Sequence, residues 1–597
     1  MKISMLFRAM LLVCIPLMTI IGTILASSSG SNSILLFLII LISVIILCSS
    51  SKRLVPTETL PLVVFLISFF LLFHLSLISK YLIGYDVNLE FYFAKLTSIS
   101  SIWDRTIPHE YNAMLSIGIL PSIYSTVLDL DLNWIFKAVY PLIFSFVPLT
   151  LYLAYSKQTD SQVAFLSVFF LMSMDMFYNE MLGLARQMIA EFFFALLILL
   201  MVEDNIGLFK KRLLFVIFSG GLIVSHYAIS YIFMFYTLFT FFLMPLLKHS
   251  DIQHRKVING GFVFLYLAMT FSWYLFVTVA PAKPVISVFV NIYDRLQEFS
   301  SGPGISGLMP TFISPIHEAS KYLFYILQFN IVIGLARLIG GYKKTRFSPE
   351  YLSMSLASMC VLMMCIFIPT FAASLNMTRF YHITLFFLAP FSVLGGLTIV
   401  DLLTSLKSRS FTYIRKLSAK SGKSALFLVS LLIVSSFLFR VGFVYEVTGD
   451  IPSSLSLSLN RMRTNPFVAV DIWSAYIPEQ DVFSATWLSA HASDESKVYA
   501  DRLSRLYVLT SYGMIPMAYV RNEEQSQNGK TTYDFMLRNK GNQIYKGYVY
   551  LRQLNVVYGK MADIDQSKYW STASIYIFLD SLDKIYSNGD SDIYSRP

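Results

Sequence analysis

The sequence is poor in charge. Only 14% of its 597 residues are Asp, Glu, Lys or Arg, whereas 56% are hydrophobic, and the mean hydropathy is +0.62. Soluble domains carry about 25% charged residues, so this composition excludes a soluble globular protein. Apolar runs of about 18 or more residues recur along the chain, and each is long enough to cross a bilayer. The sequence predicts a polytopic α-helical membrane protein.

Cysteines and common catalytic motifs are also scarce. The four cysteines, Cys14, Cys48, Cys360 and Cys365, lie in apolar segments without disulfide or metal-ligand spacing, which predicts simple packing against lipid or core. No GxxxxGK[ST], GxSxG or HExxH motif occurs, which argues against P-loop, α/β-hydrolase and zinc-protease chemistry. The net charge of +10 does not indicate a nucleic-acid partner, because basic residues in such proteins mostly mark cytoplasmic loops.

We predict thirteen membrane spans, at 5–26, 33–50, 60–79, 134–155, 162–178, 184–203, 211–226, 228–247, 257–280, 319–341, 351–373, 379–403 and 424–446. The first apolar stretch is long for a signal peptide, so we expect a retained helix. The apolar stretch 112–130 holds a proline and is bounded by acids. We predict that it forms an interfacial helix pair and does not span.

Basic residues predict the orientation. With a cytoplasmic N-terminus, 20 of them fall in inner loops: Lys2, Arg8, Lys52, Arg53, Lys157, Lys210, Lys211, Arg212, Lys248, Arg255, Lys256, Lys343, Lys344, Arg346, Lys407, Arg409, Arg415, Lys416, Lys420 and Lys423. Up to the last span, the outer loops and outer helix ends carry only 9: Lys80, Lys95, Arg105, Lys137, Arg186, Lys283, Arg295, Lys321 and Arg379. This excess predicts that the N-terminus is cytoplasmic and that the chain ends outside.

The orientation places two long loops and one domain outside the cell membrane. Loop 80–133 carries the acids discussed below, and loop 281–318 is rich in Gly, Pro and Ser. The second loop is either a mobile cover over an external site or a passive connector. After the transmembrane domain 1–446, short β-like and helical runs alternate over 447–597, which predicts a small extracytoplasmic α/β domain.

Polar residues recur at the predicted outer helix ends, where each ionisable group invites a functional hypothesis. Asp86 and Glu90 lie four residues apart and therefore share a helix face. The others are Asp175, Glu180, Arg186, His226, Arg379 and His382, with Glu191 deeper. We predict a polar cavity that opens outward. The alternatives are an Asp86 helix cap, a structural Glu180–Arg186 ion pair, a helix-end His226 and an interfacial anchor at Arg379.

Such a cavity suits a limited chemistry. A carboxylate can serve as general base toward a hydroxyl, whereas Arg and His suit a departing phosphate. Several carboxylates together can hold Mg²⁺ or Mn²⁺.

Four segments carry a resemblance to a known family. "GYDVNLEFYFAK", "ARQMIAEFFFALLILL", "SHYAISYIF" and "TRFYHITLFFLAPF" together resemble the GT-C class of polytopic glycosyltransferases, in an archaeal-like branch. The resemblance covers most of residues 60–446. Members of this class use polyprenyl-phosphate-linked sugars and keep a catalytic acid in the first long outer loop.

The resemblance implies an inverting transfer to a glycan, lipid or protein acceptor. It implies Asp86 as general base and Glu90 as its support, with the donor phosphate held by Arg186, His226, Arg379 and His382. Asp86 and Glu180 are the predicted ligands if a divalent metal takes part, and no other cofactor is expected. Two other readings remain open: a lipid-linked oligosaccharide flippase, and a non-enzymatic protein of cell-envelope assembly.

Overall fold

The computed structural model describes most of the chain. The described residues are 2–52, 54–107, 109–246, 257–277, 314–341, 347–368, 371, 376–407, 422–465, 468, 470, 472, 475–493, 496–517, 531–534, 547–562 and 569–596. Most of the loop predicted at 281–318 and the basic loop at 408–421 therefore lie outside the described residues.

Apart from the single turn Asp175–Tyr178, sixteen α-helices precede residue 441 in the described part of the chain when the contiguous turns of 132–158 and of 260–277 are each counted as one helix. They are α1 (Lys2–Ser28), α2 (Ser33–Cys48), α3 (Leu60–Ser76), α4 (Asp86–Ser100), α5 (Leu115–Gly118), α6 (Leu120–Leu128), α7 (Leu132–Gln158), α8 (Ser161–Met172), α9 (Ala185–Val202), α10 (Leu208–Ser225), α11 (Tyr227–Leu243), α12 (Gly260–Val277), α13 (Pro315–Gly341), α14 (Pro349–Phe367), α15 (Met377–Lys407) and α16 (Lys423–Arg440).

Every predicted span coincides with one of these helices. Nine helices of the described residues are long and apolar enough to cross a membrane. The remaining four predicted spans fall on α2, α8, α10 and α11, which are shorter or carry charges at one end. A polytopic helical architecture is thus confirmed, whereas the count of thirteen spans stays a prediction.

The stretch predicted as an interfacial pair does form two short helices, α5 and α6. Pro121 lies in the first turn of α6, where its missing N–H costs nothing and its fixed φ favours a helix start. The depth of this pair relative to a bilayer stays a prediction.

Close glycine contacts tighten the bundle between α13 and α15. A Cβ added at Gly334 would overlap the carbonyl oxygen of Phe391, and one added at Gly395 would overlap the carbonyl oxygen of Asn330. Small residues of this kind let two helix backbones touch where apolar side chains alone provide little driving force in lipid.

A mixed α/β domain follows the last long helix. Its sheet contains β1 (Lys497–Ala500), β2 (Thr531–Asp534), β3 (Gly547–Leu551), β6 (Asp583–Ser587) and β7 (Asp592–Arg596), in the order β2-β1-β3-β7-β6. β1 runs parallel to β2 and β3, and the other pairs are antiparallel. β4 (Lys560–Ala562) and β5 (Tyr569–Ser571) form a separate antiparallel ribbon. The predicted C-terminal α/β domain is therefore confirmed.

This C-terminal domain has its own apolar core, built from the helix Glu479–His491 and the central strands. The predicted boundary between residues 446 and 447 falls inside the helix Phe443–Thr448.

The C-terminal domain packs on the start of α4. The Tyr512 ring contacts the rings of Tyr81 and Phe91, with centroids 5.0 and 5.4 Å apart. The Tyr512 hydroxyl accepts a hydrogen bond from the Leu82 N–H (3.0 Å) and donates one to Asn133 Oδ1 (3.2 Å). One tyrosine thus fixes the chain on both sides of the loop that carries Asp86 and Glu90.

Candidate functional site

Three helix starts that lie far apart in the sequence meet at one end of the bundle. Arg186 Nη2, at the start of α9, lies 3.0 Å from Asp86 Oδ2 at the start of α4. Arg379 Nη2, in the first turn of α15, lies 3.3 Å from the same oxygen. Arg186 Nη1 also donates to Glu90 Oε1. The structure therefore brings Asp86, Glu90, Arg186 and Arg379 into one cluster, which we call the acid–arginine cluster.

Two glycines allow this approach. Gly84 has φ +118°, which favours glycine, and a Cβ added there would lie 2.6 Å from the Gly183 Cα. The segments that precede α4 and α9 can therefore touch backbone to backbone. Asn88 Nδ2 reinforces the turn by donating to the Gly84 carbonyl at 2.7 Å.

Glu90 is a buried partner for the start of α9. Its Oε2 accepts from the Ala185 N–H at 2.7 Å, and its Oε1 accepts from Arg186. A carboxylate at a helix N-terminus satisfies an otherwise unpaired N–H and interacts favourably with the helix dipole. Burial raises the pKa of Glu90 to about 7, although Arg186 and the Ala185 N–H act in the opposite direction. Glu90 therefore holds Arg186, and through it orients Asp86.

Asp86 is the partly accessible carboxylate, with 21% of its side chain exposed. Burial acts to raise its pKa, but the charges of Arg186 and Arg379 outweigh burial and hold the pKa of Asp86 below its ordinary value. Asp86 is therefore ionised at neutral pH. It is the first residue of α4, the N-cap position belongs to Tyr85, and no side-chain cap bond is made there. The alternative of Asp86 as a helix cap is thus wrong.

Arg186 is the buried centre of the cluster, with 2% of its side chain exposed. Its guanidinium lies over the Tyr111 ring, 3.8 Å from the centroid. A guanidinium stacked on an aromatic face is held in one plane. Among the described residues, neither its Nε nor Arg379 Nε has a hydrogen-bond partner.

His226 supplies a third donor without a partner. Its Nδ1 accepts from the Ile229 N–H at 3.3 Å, as a cap at the start of α11. The proton of a neutral imidazole must then reside on Nε2, and this buried Nε2 has no partner in the part of the chain that the structure describes. Arg186 and Arg379 both act electrostatically on the His226 ring. The helix-end role expected as an alternative is therefore real, and it leaves one N–H unused.

Three buried donors without partners in one neighbourhood call for an explanation, because each costs about 1–3 kcal/mol. They belong to two arginines and a histidine, and an anion is the ligand that such donors favour.

The remaining predicted site residues lie in other contacts. His382 Nε2 pairs with Glu191 Oε2 at 3.0 Å, and Gln187 Nε2 donates to Glu191 Oε1 at 2.8 Å. His382 as a phosphate ligand stays a prediction, but the geometry favours a role in joining α9 to α15. Glu180 accepts from the Thr378 hydroxyl at 3.0 Å. Since Arg186 pairs with Asp86 and Glu90, the predicted Glu180–Arg186 ion pair does not form.

The metal prediction fits these residues poorly. Oδ2 of Asp86 already accepts from two arginines, whose charges repel a cation. Throughout the described ranges, no group of three or more His, Cys, Asp or Glu side chains is arranged to hold a metal ion.

Sequence reasoning missed two aromatic residues. Tyr111 lies in a short 3₁₀ turn of loop 80–133, where nothing marks it as the support of an arginine. Tyr507 comes from the C-terminal domain, and its ring packs edge-on against Tyr85, with centroids 5.5 Å apart. Tyr507 lies in a π-helix, Ser504–Leu509, a feature that often marks functional sites but that the sequence pattern does not reveal.

The fold and the acid–arginine cluster together define a class: a polytopic membrane protein with a buried ionic cluster beneath a C-terminal α/β domain. A family model described as "Predicted membrane protein (DUF2206)" matches residues 211–594. The chain belongs to this family. A comparison with curated proteins found no match.

Three solved structures resemble the chain. The oligosaccharyltransferase of Archaeoglobus fulgidus tethered with an acceptor peptide has a TM-score of 0.47 and 12% identity, over 84% of this chain and 69% of that one. ArnT from Cupriavidus metallidurans in the apo state has a TM-score of 0.45 and 13% identity, over 91% and 98%. The arabinofuranosyltransferase AftD from Mycobacteria has a TM-score of 0.42 and 10% identity, over 91% and 40%. At such values these likenesses assign neither a substrate nor a site residue to this chain.

Proposed function

We propose that the protein is an integral-membrane glycosyltransferase that moves a sugar from a polyprenyl-phosphate donor to an acceptor hydroxyl on a glycan, lipid or protein. One observation carries the proposal: an ionised, partly exposed Asp86 pairs with Arg186 and Arg379, which also act electrostatically on His226, and each of these three basic residues has a buried N–H without a partner among the described residues. A base beside an anion site is what transfer from a phosphate-linked sugar needs.

The proposed reaction is a single displacement. The acceptor oxygen attacks the anomeric carbon as its proton passes to Asp86, so a C–O bond forms on one face of the sugar. The bond from that carbon to the phosphate oxygen breaks on the opposite face, which inverts the configuration. The polyprenyl phosphate leaves with the electron pair, and Arg186, Arg379 and the His226 Nε2–H stabilise its charge.

Asp86 is suited to this role by its ionisation and not by a high basicity. Its lowered pKa keeps it unprotonated, and the carbocation character that develops at the sugar is stabilised by a nearby carboxylate, as in glycoside hydrolysis. The acceptor hydroxyl becomes acidic only as the new bond forms. No step is assigned to a divalent metal, because Asp86 and Glu180 offer poor ligands.

We further propose that the cluster and the C-terminal domain face the outside of the cell membrane. The excess of basic residues on the opposite side supports this orientation. Asp580, exposed in the C-terminal domain, and Lys52, exposed between α2 and α3, are suitable positions for single cysteines. On intact cells an impermeant maleimide should label Asp580→Cys and spare Lys52→Cys. The reverse pattern would exclude an external site.

The activity itself is tested with the purified full-length protein in liposomes and a panel of polyprenyl-phosphate sugars with radiolabelled sugar. We expect transfer of label to an acceptor extract from at least one donor. Donor movement across the bilayer without transfer would support the flippase, and neither transfer nor movement would support the assembly protein.

A further inference from the structure

A cavity of about 420 Å³ lies beside α4, between the loop that follows α3, the start of α7 and Tyr512 of the C-terminal domain. Three lysines and one aspartate line it: Lys80, Lys95, Lys137 and Asp131. Cavities that bind small molecules usually measure about 300–1,000 Å³ and combine apolar walls with a few polar anchors. This cavity has both features.

The cavity is distinct from the acid–arginine cluster. Of the α4 side chains, Phe91 and Lys95 line it, whereas Asp86 and Glu90 do not. Residues four apart share a helix face, so Phe91 and Lys95 define a different face from Asp86 and Glu90. α4 thus separates two sites of different composition.

The positive charges of Lys95 and Lys137 in this cavity are not balanced by adjacent carboxylates. Lys137 is 3% exposed, and its Nζ donates to the carbonyl oxygens of Ser76 (2.6 Å), Ser79 (2.5 Å) and Tyr81 (3.3 Å). Carbonyl dipoles solvate an ammonium without neutralising it. Among the described residues, no carboxylate lies within 4.0 Å of the Nζ of Lys137 or Lys95.

The other two charged residues do not restore the balance. Lys80 pairs with Glu479 of the C-terminal domain. Asp131 caps α7 by accepting from the Asn133 N–H at 2.8 Å and acts on Lys95 only through its field. Burial lowers the pKa of Lys95, as expected for an ammonium that has lost water without gaining a partner. The cavity therefore favours an anion.

Its walls are aromatic and lie where α3 ends and α7 begins. Phe91, Tyr81, Tyr512 and Trp134 line the cavity, and Trp134 is 48% exposed. Trp and Tyr side chains of this kind collect at the level of lipid headgroups. An anion that enters here with an apolar chain can keep that chain along the surface of the bundle.

We propose that this cavity binds the phosphate headgroup of an anionic membrane lipid, with Lys95 as the principal anchor. The bound phosphate balances the buried charge of Lys137. Since α4, α7 and Tyr512 all line the cavity, the lipid stabilises the docking of the C-terminal domain on α4. This proposal does not depend on the proposed transfer activity.

The test is lipid binding by the purified full-length protein, followed by native mass spectrometry and by the thermal unfolding midpoint. Phosphatidylglycerol and phosphatidylcholine are compared in otherwise identical detergent. A lysine near an anionic surface contributes about fivefold in affinity. With Lys95 and Lys137 both lining the cavity, we expect a preference of about twenty-fivefold for phosphatidylglycerol, and a rise in the midpoint with this lipid alone.

Matched variants locate the binding. Lys95→Gln should lose about fivefold in affinity for phosphatidylglycerol, and Lys95→Arg, which keeps the charge, should retain it. Lys52→Gln removes an exposed lysine at the other end of α3 and should bind as the wild type does. Equal affinity for the two lipids, or equal losses in Lys95→Gln and Lys52→Gln, would overturn the proposal. The first comparison needs no variant, so a folding defect in Lys95→Gln leaves the test intact.

Two competitors identify the source of the phosphate. Inorganic phosphate at millimolar concentration should not displace the lipid, because it lacks the chain that contacts Trp134. Displacement of phosphatidylglycerol by equimolar polyprenyl phosphate would assign the cavity to a carrier lipid and would overturn its assignment to a membrane lipid.

Discussion

The part of the chain that the structure describes contains two buried arginine–carboxylate pairs, and they differ in how far each is exposed to solvent. In the C-terminal domain, Arg552 Nε donates to Asp481 Oδ2 at 3.0 Å and its Nη2 donates to the Tyr476 carbonyl at 2.8 Å. The Gln553 N–H donates to Asp481 Oδ1 at 2.8 Å. The side chains of Arg552 and Asp481 are both fully buried. This pair is closed to solvent.

The pair in the bundle is open. Arg186 forms ion pairs with both Asp86 and Glu90, and Asp86 forms ion pairs with both Arg186 and Arg379. Asp86 and Arg379 each have 21% of the side chain exposed. A charged pair that serves only the fold can be fully buried, whereas a binding site keeps charged side chains within reach of a ligand. The contrast predicts loss of stability from one pair and loss of activity from the other.

The largest expected effect is that of Asp86→Asn on transfer. Asn keeps the size of the side chain but accepts a proton poorly, and general-base assistance is worth about 10² to 10⁴ in rate. We expect turnover to fall by at least a hundredfold while donor binding persists, measured with radiolabelled donor in liposomes. The unfolding midpoint should change little, because Asp86 lies at the partly exposed edge of the cluster. Transfer at the wild-type rate by a folded Asp86→Asn would remove Asp86 from the mechanism.

The closed pair should respond in the opposite way. Asp481→Asn leaves the buried charge of Arg552 without its counter-ion, which costs about 3–5 kcal/mol. We expect the C-terminal domain to unfold at lower temperature and to become sensitive to limited proteolysis. Lys584→Gln is the matched control, because Lys584 is 48% exposed where it pairs with Asp592 at 2.8 Å, and an ion pair with a solvent-exposed lysine contributes less than about 1 kcal/mol. Similar losses in the two variants would contradict the difference between closed and exposed pairs.

The next largest expected effect concerns recognition of the phosphate leaving group by Arg379. Arg379→Lys keeps the charge and loses the planar fork, so we expect transfer to fall tenfold or more, which is about 1.4 kcal/mol. Arg337→Lys is a suitable control, because Arg337 is 41% exposed and lies near Asp401 at 3.9 Å, away from the cluster. Equal kinetics in both variants would make Arg379 a membrane anchor, which was the alternative from the sequence.

Glu90 should make the rate of sugar transfer fall at acidic pH. The pKa of Glu90 is raised to about 7 by burial, so this carboxyl takes up a proton as the pH falls through about 7. Protonated Glu90 no longer neutralises Arg186, which then lowers the basicity of Asp86 further. Asp86 itself stays ionised over this range. We expect transfer to decline below about pH 7 in the wild type, and Glu90→Gln to be slow and flat there. If the transfer rate of Glu90→Gln still falls at the same pH as that of the wild type, the fall is due to another group.

The same group has a defined effect on stability. A carboxyl with a raised pKa in the folded state favours folding at low pH, and this contribution is lost as the pH rises toward its folded pKa. The unfolding midpoint of the wild type should therefore fall slightly between about pH 5 and 7 relative to that of Glu90→Gln.

Much of this arrangement is readable from the sequence. The apolar runs mark the helices because lipid demands them, and the charges at their ends mark Asp86, Glu90, Arg186 and Arg379. What the sequence cannot supply is the pairing. The approach of Gly84 to Gly183 and the placement of Tyr111 beneath Arg186 join segments far apart in the chain. Such contacts depend on tertiary packing, and no local pattern encodes them.

The smallest expected effect comes from two tyrosine variants, which test whether the candidate site extends into the C-terminal domain. The buried Tyr507 hydroxyl has no hydrogen-bond partner within the described residues, although its ring lies against Tyr85, next to Asp86. The Tyr550 hydroxyl, also buried, donates to the Asp481 carbonyl at 2.8 Å and accepts from Ser484 at 3.1 Å. Removing an unsatisfied hydroxyl relieves a cost, whereas removing a satisfied one loses about 1 kcal/mol. We expect Tyr550→Phe to lower the unfolding midpoint and Tyr507→Phe to leave it unchanged or raise it.

The two tyrosine variants also separate fold from function within one domain. A lower rate of transfer by Tyr507→Phe, at undiminished stability, would make this hydroxyl part of the site that the acid–arginine cluster begins. Equal destabilisation by both variants would mean that the Tyr507 hydroxyl has a structural partner. The open region would then end at Tyr85, and the C-terminal domain would act on the site only through the contacts that Tyr512 makes with Leu82 and Asn133.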